Sequence, residues 1–242
     1  MEWFKSWFDT PYYHLLYRNR NDEEAQGFID RLLEYLNVSK EARVLDVACG
    51  KGRHAIYMNE KGFNVTGIDL SEHSIMEAKE SENDRLRFFV RDMRKPLKHE
   101  YDVILNMFTS FGYFENRNEN RISINHLAKA LHPDGCLVVD FLNSKKAQLQ
   151  LVHREKKTVD GIDFFIEREF TGESFIKRIR FMADGEEQEF QEQVQALTLA
   201  DFKECFEDAG LQIVDTFGDY DLGPFHALNS DRLILIAIKT AV

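Results

Sequence analysis

Short apolar runs that each give way to a carboxylate carry the chemistry this chain can do. Residues 44–47 (Val-Leu-Asp-Val) contain Asp46 and run into Ala48-Cys49-Gly50-Lys51-Gly52. A second run, residues 63–68, ends at Asp69. A third, residues 86–90, is followed by Asp92 and Met93. A fourth, residues 101–105, runs into Asn106-Met107-Phe108-Thr109-Ser110-Phe111-Gly112-Tyr113. An apolar run, a small glycine-bearing turn and then helix formers read as strand, tight turn and helix N-terminus. An acid at the tip of the second parallel strand is where a ribose diol is held. A carboxylate after the third can accept from an adenine amine, with Met93 against the ring face.

The turn itself separates two ligand classes. Gly50-Lys51-Gly52-Arg53-His54-Ala55 fits G-x-G-x-x-A, so an NAD(P)-dependent oxidoreductase is one alternative. A pyrophosphate is doubly negative, however, and Asp46 lies beside where it would sit. A carboxylate there suits a cation better, such as an amino-acid amine next to a sulfonium. S-adenosylmethionine offers both, with a ribose diol, an adenine and no phosphate. Asp46 then faces the methionine end and Asp69 the ribose hydroxyls.

From about residue 42 to residue 142 the chain resembles the class I S-adenosylmethionine-dependent methyltransferases, in the form of a bacterial-type small-molecule enzyme with a β insertion after strand five. Such families carry D-x-x-x-G-x-G after strand one, matched by Asp46, Gly50 and Gly52. They carry an acid ending strand two (Asp69), an acid after strand three (Asp92) and an aromatic or polar motif after strand four, from Asn106 onward. The usual first glycine of the loop is Ala48, a position expected to need a small residue but not a positive φ. Cys49 reads as a compact filler beside the cofactor rather than a catalytic thiol. The cofactor set this resemblance implies is Asp46, Ala48, Cys49, Gly50, Gly52, Asp69, Leu70, Asp92, Met93 and Asn106. It also implies a Rossmann-like α/β fold with a seven-stranded sheet, an antiparallel strand seven and an N-terminal helical lid over the cofactor.

The elements that must position these residues follow from local patterning. Residues 22–36 form an amphipathic helix with Asp22 as its cap, and Ser71 caps the helix after strand two. Residues 118–131 form the helix after strand four, stopped by His132-Pro133-Asp134-Gly135. Residues 136–141 are strand five. A helix over 199–209 and strands over 211–217 and 233–239 complete the core. Between them lies an insertion with two Asp-Gly hairpin signals, Asp160-Gly161 and Asp184-Gly185, and apolar residues alternating with charges. It reads as a four-stranded antiparallel meander with one apolar face. That face must be covered, either by the substrate side of the core or by a twin in a homodimer. The expected division is residues 1–144 and 197–242 for the cofactor-binding core with its lid, and 145–196 for the β cap.

Trp3, Phe4, Trp7, Phe8, Tyr12, Tyr13, His14 and Tyr17 crowd the N-terminus, and polar-tipped rings suit a pocket wall. Tyr13, Tyr17 and Tyr113 are the expected substrate contacts. A general base is needed only if the acceptor must first lose a proton. The candidates are His14, Tyr113 and His226. A non-catalytic S-adenosylmethionine-binding protein is a further alternative, but such a protein would be expected to lose the acids that remain here. The 31 Lys and Arg against 42 Asp and Glu give a net charge of −11, a poor match to a nucleic acid. No apolar run reaches the length of about 20 residues that spans a bilayer. Cys49, Cys136 and Cys205 are scattered, with no metal-type spacing. No export signal is read at the start, and a cytoplasmic enzyme acting on a small-molecule methyl acceptor is expected. Amine, carboxylate, hydroxyl and carbon acceptors all stay open.

Overall fold

A computed structural model describes residues 3–17 and 22–240. In chain order its strands are β1 (Arg43–Val47), β2 (Asn64–Asp69), β3 (Leu86–Val90), β4 (Tyr101–Asn106), β5 (Leu131–Leu142), β6 (Arg154–Val159), β7 (Ile162–Phe170), β8 (Ser174–Ala183), β9 (Glu186–Gln195), β10 (Leu211–Phe217) and β11 (Arg232–Lys239). Its helices are α1 (Trp3–Phe8), α2 (Pro11–Leu16), α3 (Asp22–Tyr35), α4 (Arg53–Glu60), α5 (Glu72–Ala78), α6 (Arg117–Lys129), α7 (Ser144–Leu149) and α8 (Leu199–Asp208). The cap expected from the Asp22 side chain lies outside the described residues.

Seven strands form one sheet in the order β10-β11-β5-β4-β1-β2-β3. β1 pairs in parallel with β2 and with β4, and β11 runs antiparallel to both β5 and β10. The chain steps outward from β1 to β3, then crosses back to β4 on the other side of β1. Strand order reverses there, and a crevice opens at the carboxyl ends of β1 and β4, the place where open α/β sheets hold ligands. The central strands are apolar on both faces because helices cover both. Phe28, Ile29 and Leu32 of α3 pack on one side with Ala55, Met58 and Ile75. Ile124 and Leu127 of α6 pack on the other with Phe202 and Phe206 of α8. Capping follows the sequence closely: Ser71 Oγ accepts from Ser74 N, and Asn116 and Thr198 form capping boxes with Glu119 and Asp201.

β5 starts earlier than its apolar run. Tyr101 pairs with Leu131 and Val103 with Cys136, so the His-Pro-Asp-Gly segment is accommodated as an irregularity within the strand rather than as a stop before it. α7 carries no strong sequence signal and was not expected.

The insertion is an antiparallel four-stranded sheet in the order β6-β7-β8-β9. Its apolar face, built from Phe164, Ile166, Ile179 and Phe181, is buried. Trp7 and Leu16 of α1 and α2 cover it. Trp7 stacks on Phe190 with ring centroids 4.5 Å apart. The sequence offered the core or a twin as the cover; the cover is the chain's own N-terminal segment. The reason for a homodimer through this face therefore lapses.

Candidate active site

The site is built from the turn after β1 outward. Ala48, Gly50 and Gly52 all have positive φ, at 60°, 55° and 77°. Ala48 was expected to need only small size, and this corrects that expectation. The turn's amides explain the conformation: Cys49 N donates to Ile68 O of β2 at 3.0 Å, and Gly52 N to Cys49 O at 3.0 Å. Alternate residues must swing left-handed to let these N–H groups turn back. An alanine there costs about 1 kcal/mol relative to glycine. Gly52 is needed for a second reason, because a Cβ there would lie 2.5 Å from the Phe88 ring of β3.

A buried carboxylate and a partly buried one meet at this turn. Asp69 accepts from Gly50 N and Ser71 N, both at 2.8 Å, and so ties the β1 turn to the β2 turn. Burial nonetheless holds its carboxyl above the usual carboxylate range. Asp46 is 2% exposed, and one of its oxygens has no hydrogen-bond partner. Burial and the neighbouring Asp69 charge push its carboxyl up to about 7. A third acid, Asp9, sits between α1 and α2 and accepts from Ser71 Oγ. The buried Cys49 thiol is pushed far up by burial and by both aspartates, which makes it inert as a nucleophile.

These groups line a cavity of about 770 Å³ at the carboxyl edge of the sheet. Asp46, Ala48, Cys49, Gly50, Asp69, Leu70 and Met93 reach it, as do Tyr13, His14, Tyr17 and Tyr113. Gly52, Asp92 and Asn106 do not. Asp92 was expected to face an adenine amine. Its oxygens instead accept from Arg94 Nε at 3.0 Å and Nη2 at 2.7 Å, and Arg94 Nη1 meets Glu119 at 2.6 Å. Arg94 is therefore part of a half-buried ion triad. Asn106 is fully buried behind the turn and donates from Nδ2 to Val47 O at 3.2 Å. His226 is exposed in the loop before β11 and outside the cavity.

The wall opposite the glycine turn comes from α1, α2 and the loop after β4. Phe8 meets Tyr13 at 4.7 Å and Tyr113 at 5.5 Å, and Trp3 meets Tyr113 at 5.4 Å. Tyr17 OH donates to Glu192 at 2.6 Å, and Tyr113 OH donates to Thr109 O. These two hydroxyls are engaged within the protein. His14 Nε2 is buried without a hydrogen-bond partner among the described residues. Burial first, and then the Lys51 charge, hold its imidazolium below the usual histidine range. Sequence reading missed Asp9, Ser71 and Phe108 as cavity residues. Asp9 could have been flagged as the acid placed among the lid aromatics; Phe108 gave no signal beyond its place after β4.

The geometry supports a definite expectation at Asp69. Asp69→Ala removes a carboxylate that lines the cavity and also unties the β1 turn from Ser71. S-adenosylhomocysteine binding should weaken by about 2–4 kcal/mol, more than for any single change in α1 or α2. An unchanged dissociation constant by calorimetry would show that Asp69 holds nothing in the cavity.

Among known proteins, a family described as a methyltransferase domain matches residues 17–216. A putative methyltransferase from Bacillus subtilis, YqeM, is 28% identical over 216 residues, covering 84% of this chain and 87% of that protein. The dTDP-3-amino-3,4,6-trideoxy-alpha-D-glucopyranose N,N-dimethyltransferase of Streptomyces venezuelae is 29% identical over 133 residues, covering 53% of this chain and 54% of its own length. Among solved structures, an S-adenosylmethionine-dependent methyltransferase from Clostridium acetobutylicum superposes with a TM-score of 0.81 at 18% identity, covering 95% of this chain and 96% of that one.

Proposed function

The chain belongs to this methyltransferase family, with S-adenosylmethionine as its cofactor, and from that premise we propose that it methylates a small-molecule acceptor through an amine. The observation that carries the reading is one cavity bearing Asp9, Asp46 and Asp69 on one side and aromatic rings on the other. Carboxylates attract the ammonium of the cofactor and of an amine acceptor, and aromatic faces attract cations. The names of the relatives point the same way: the Streptomyces venezuelae protein is an N,N-dimethyltransferase.

The cofactor supplies a methyl group already activated on positive sulfur. The protein's part is to align, exclude water and handle a proton. Asp46 holds the amino-acid end and Asp69 the ribose, in this proposal. Phe8, Tyr13 and Tyr113 close the cavity with their rings. Neutral His14, whose Nε2 has no hydrogen-bond partner among the described residues, takes the proton that an ammonium acceptor must lose. Among the described residues no helix is long and apolar enough to cross a membrane. The three unpaired cysteines suit work in a reducing cytoplasm.

The dinucleotide alternative finds no support at the turn. The amides of Cys49, Gly50 and Gly52, which would cradle a pyrophosphate, are engaged by Ile68 O, Asp69 and Cys49 O. Calorimetry tests the reading: S-adenosylhomocysteine should bind and NAD should not. Tighter binding of NAD would overturn it. Acceptor class is then read from S-adenosylhomocysteine release with panels of small amines, alcohols and carboxylic acids, the amines being the expected substrates.

A further inference from the structure

We propose that Asp140 and Arg232 are positioning residues that hold the loop after β4 in a strained shape and thereby set one wall of the cavity. The inference rests on the reading above, that this cavity takes the cofactor. Neither residue lines the cavity. Asp140 is fully buried on β5, and the Arg232 side chain is 17% exposed on the neighbouring β11. Arg232 Nε meets Asp140 Oδ1 at 2.8 Å.

The ion pair does more than neutralise itself. Phe108 and Thr109 are consecutive non-glycine residues with φ of 58° and 60°. Side chains disfavour that conformation, and two in a row persist only where the surroundings over-determine them. Here the hydrogen bonds of both amides and of the Thr109 hydroxyl lead to these two residues. Phe108 N donates to Asp140 Oδ2 at 2.7 Å, and Thr109 N to Asp140 O at 3.0 Å. Arg232 Nη2 donates to Thr109 Oγ1 at 2.9 Å. Tyr220 OH approaches the same carboxylate at 3.3 Å. The result is visible in the cavity, where the Phe108 ring stacks on His54 with centroids 4.5 Å apart and an interplanar angle of 28°. Thr109 O accepts from Tyr113 OH, so the same loop also fixes Tyr113. A pair that served only to fill the sheet would have no need to grip a loop amide with its carboxylate and a loop hydroxyl with its guanidinium.

The test uses S-adenosylhomocysteine as probe and needs no acceptor. Arg232→Lys keeps the charge beside Asp140 and removes the hold on Thr109. It should weaken S-adenosylhomocysteine about tenfold by calorimetry, which is about 1.4 kcal/mol. The His54 ring protons should also lose the upfield shift that the stacked Phe108 ring imposes. Glycine adopts a positive φ without strain, so Thr109→Gly alone should leave the affinity within about threefold of native. The double variant should recover most of what Arg232→Lys loses. Native affinity and unchanged His54 shifts in Arg232→Lys would overturn the proposal, as would a folded double variant no better than Arg232→Lys. Should Arg232→Lys fail to fold, hydrogen exchange on the native protein decides. The Phe108 and Thr109 amides should then exchange as slowly as those of β5, and exchange at open-loop rates would overturn it. Native protein that binds no S-adenosylhomocysteine would instead overturn the reading of the cavity.

Discussion

Asp46→Asn is expected to make the ligand-free protein more stable and to weaken S-adenosylhomocysteine binding by about 100-fold or more. Both effects have one cause. The Asp46 carboxyl is buried, faces Asp69, and is pushed up to about 7. Its folded form therefore holds a proton that the unfolded chain releases near pH 4. The folded state binds more protons between those limits, so stability of the ligand-free protein falls as pH rises from about 4 to about 7 and levels off above. A neutral amide removes that loss. The gain at pH 8 should be up to about 4 kcal/mol, or about 10 °C in melting temperature for a chain of this size. Binding has the opposite sense. A cationic amine needs the carboxylate, so affinity for S-adenosylhomocysteine should fall about tenfold per unit as pH drops below about 7, with proton uptake by the buffer on binding. Calorimetry in two buffers of different ionisation heat reads that proton directly. A variant no more stable than native, with native affinity at pH 8, would show that Asp46 neither bears this strain nor meets the ligand.

Much of the core was legible because its signals are local. Each β strand of the large sheet contains an apolar run, and the helix cap at Ser71 sits where a side-chain oxygen precedes a helical stretch. The Asp-Gly pairs mark the turns between β6 and β7 and between β8 and β9, with Asp160 and Asp184 at φ of 47° and 54°. The same locality let Asp46 and Asp69 be placed at one edge, since strand ends in a parallel sheet share that edge.

What was not legible depends on partners far apart in sequence. The Asp92 carboxylate is claimed by Arg94 two residues on, and Arg94 is turned inward by Glu119 on α6, which no period in the chain announces. Ala48 is left-handed because Cys49 N must reach Ile68 O. Asp140 did carry a signal that went unused. A charge inside the run Leu137-Val138-Val139-Asp140-Phe141 must be paired if the strand is central, and Arg232 on the adjacent strand is that pair. The cover of the meander could not be read at all, because α1 and α2 lie more than a hundred residues from the strands they bury, as the Trp7–Glu192 and Tyr17–Glu192 hydrogen bonds show.

That docking changes what the N-terminal segment is expected to do. Taken as a free lid, it could be deleted to leave a folded protein that merely retains cofactor poorly. Docked on the meander, it cannot. Removing residues 3–17 strips the cover from Phe164, Ile166, Ile179 and Phe181, each worth about 2 kcal/mol or more of buried apolar surface, and aggregation is the expected outcome. A finer cut is available at Glu192 of β9. Its carboxylate accepts from Trp7 Nε1 at 2.7 Å and from Tyr17 OH, and Lys177 Nζ lies 3.5 Å away. Glu192→Ala orphans a buried indole N–H and removes the acceptor of Tyr17 OH, loosening α1 and α2 by about 2–3 kcal/mol. The same segment supplies Phe4, Phe8, Asp9, Tyr13, His14 and Tyr17 to the cavity. Ligand binding must therefore favour the docked state, and docking must favour the ligand by the same factor. Amides of 3–17 should exchange slowly in the native protein even without ligand, and much faster in Glu192→Ala. S-adenosylhomocysteine should restore their protection in the variant while binding about tenfold more weakly than to native. Equal exchange with and without ligand in the variant, at native affinity, would mean that α1 and α2 serve only as the lining of the meander and take no part in the cavity.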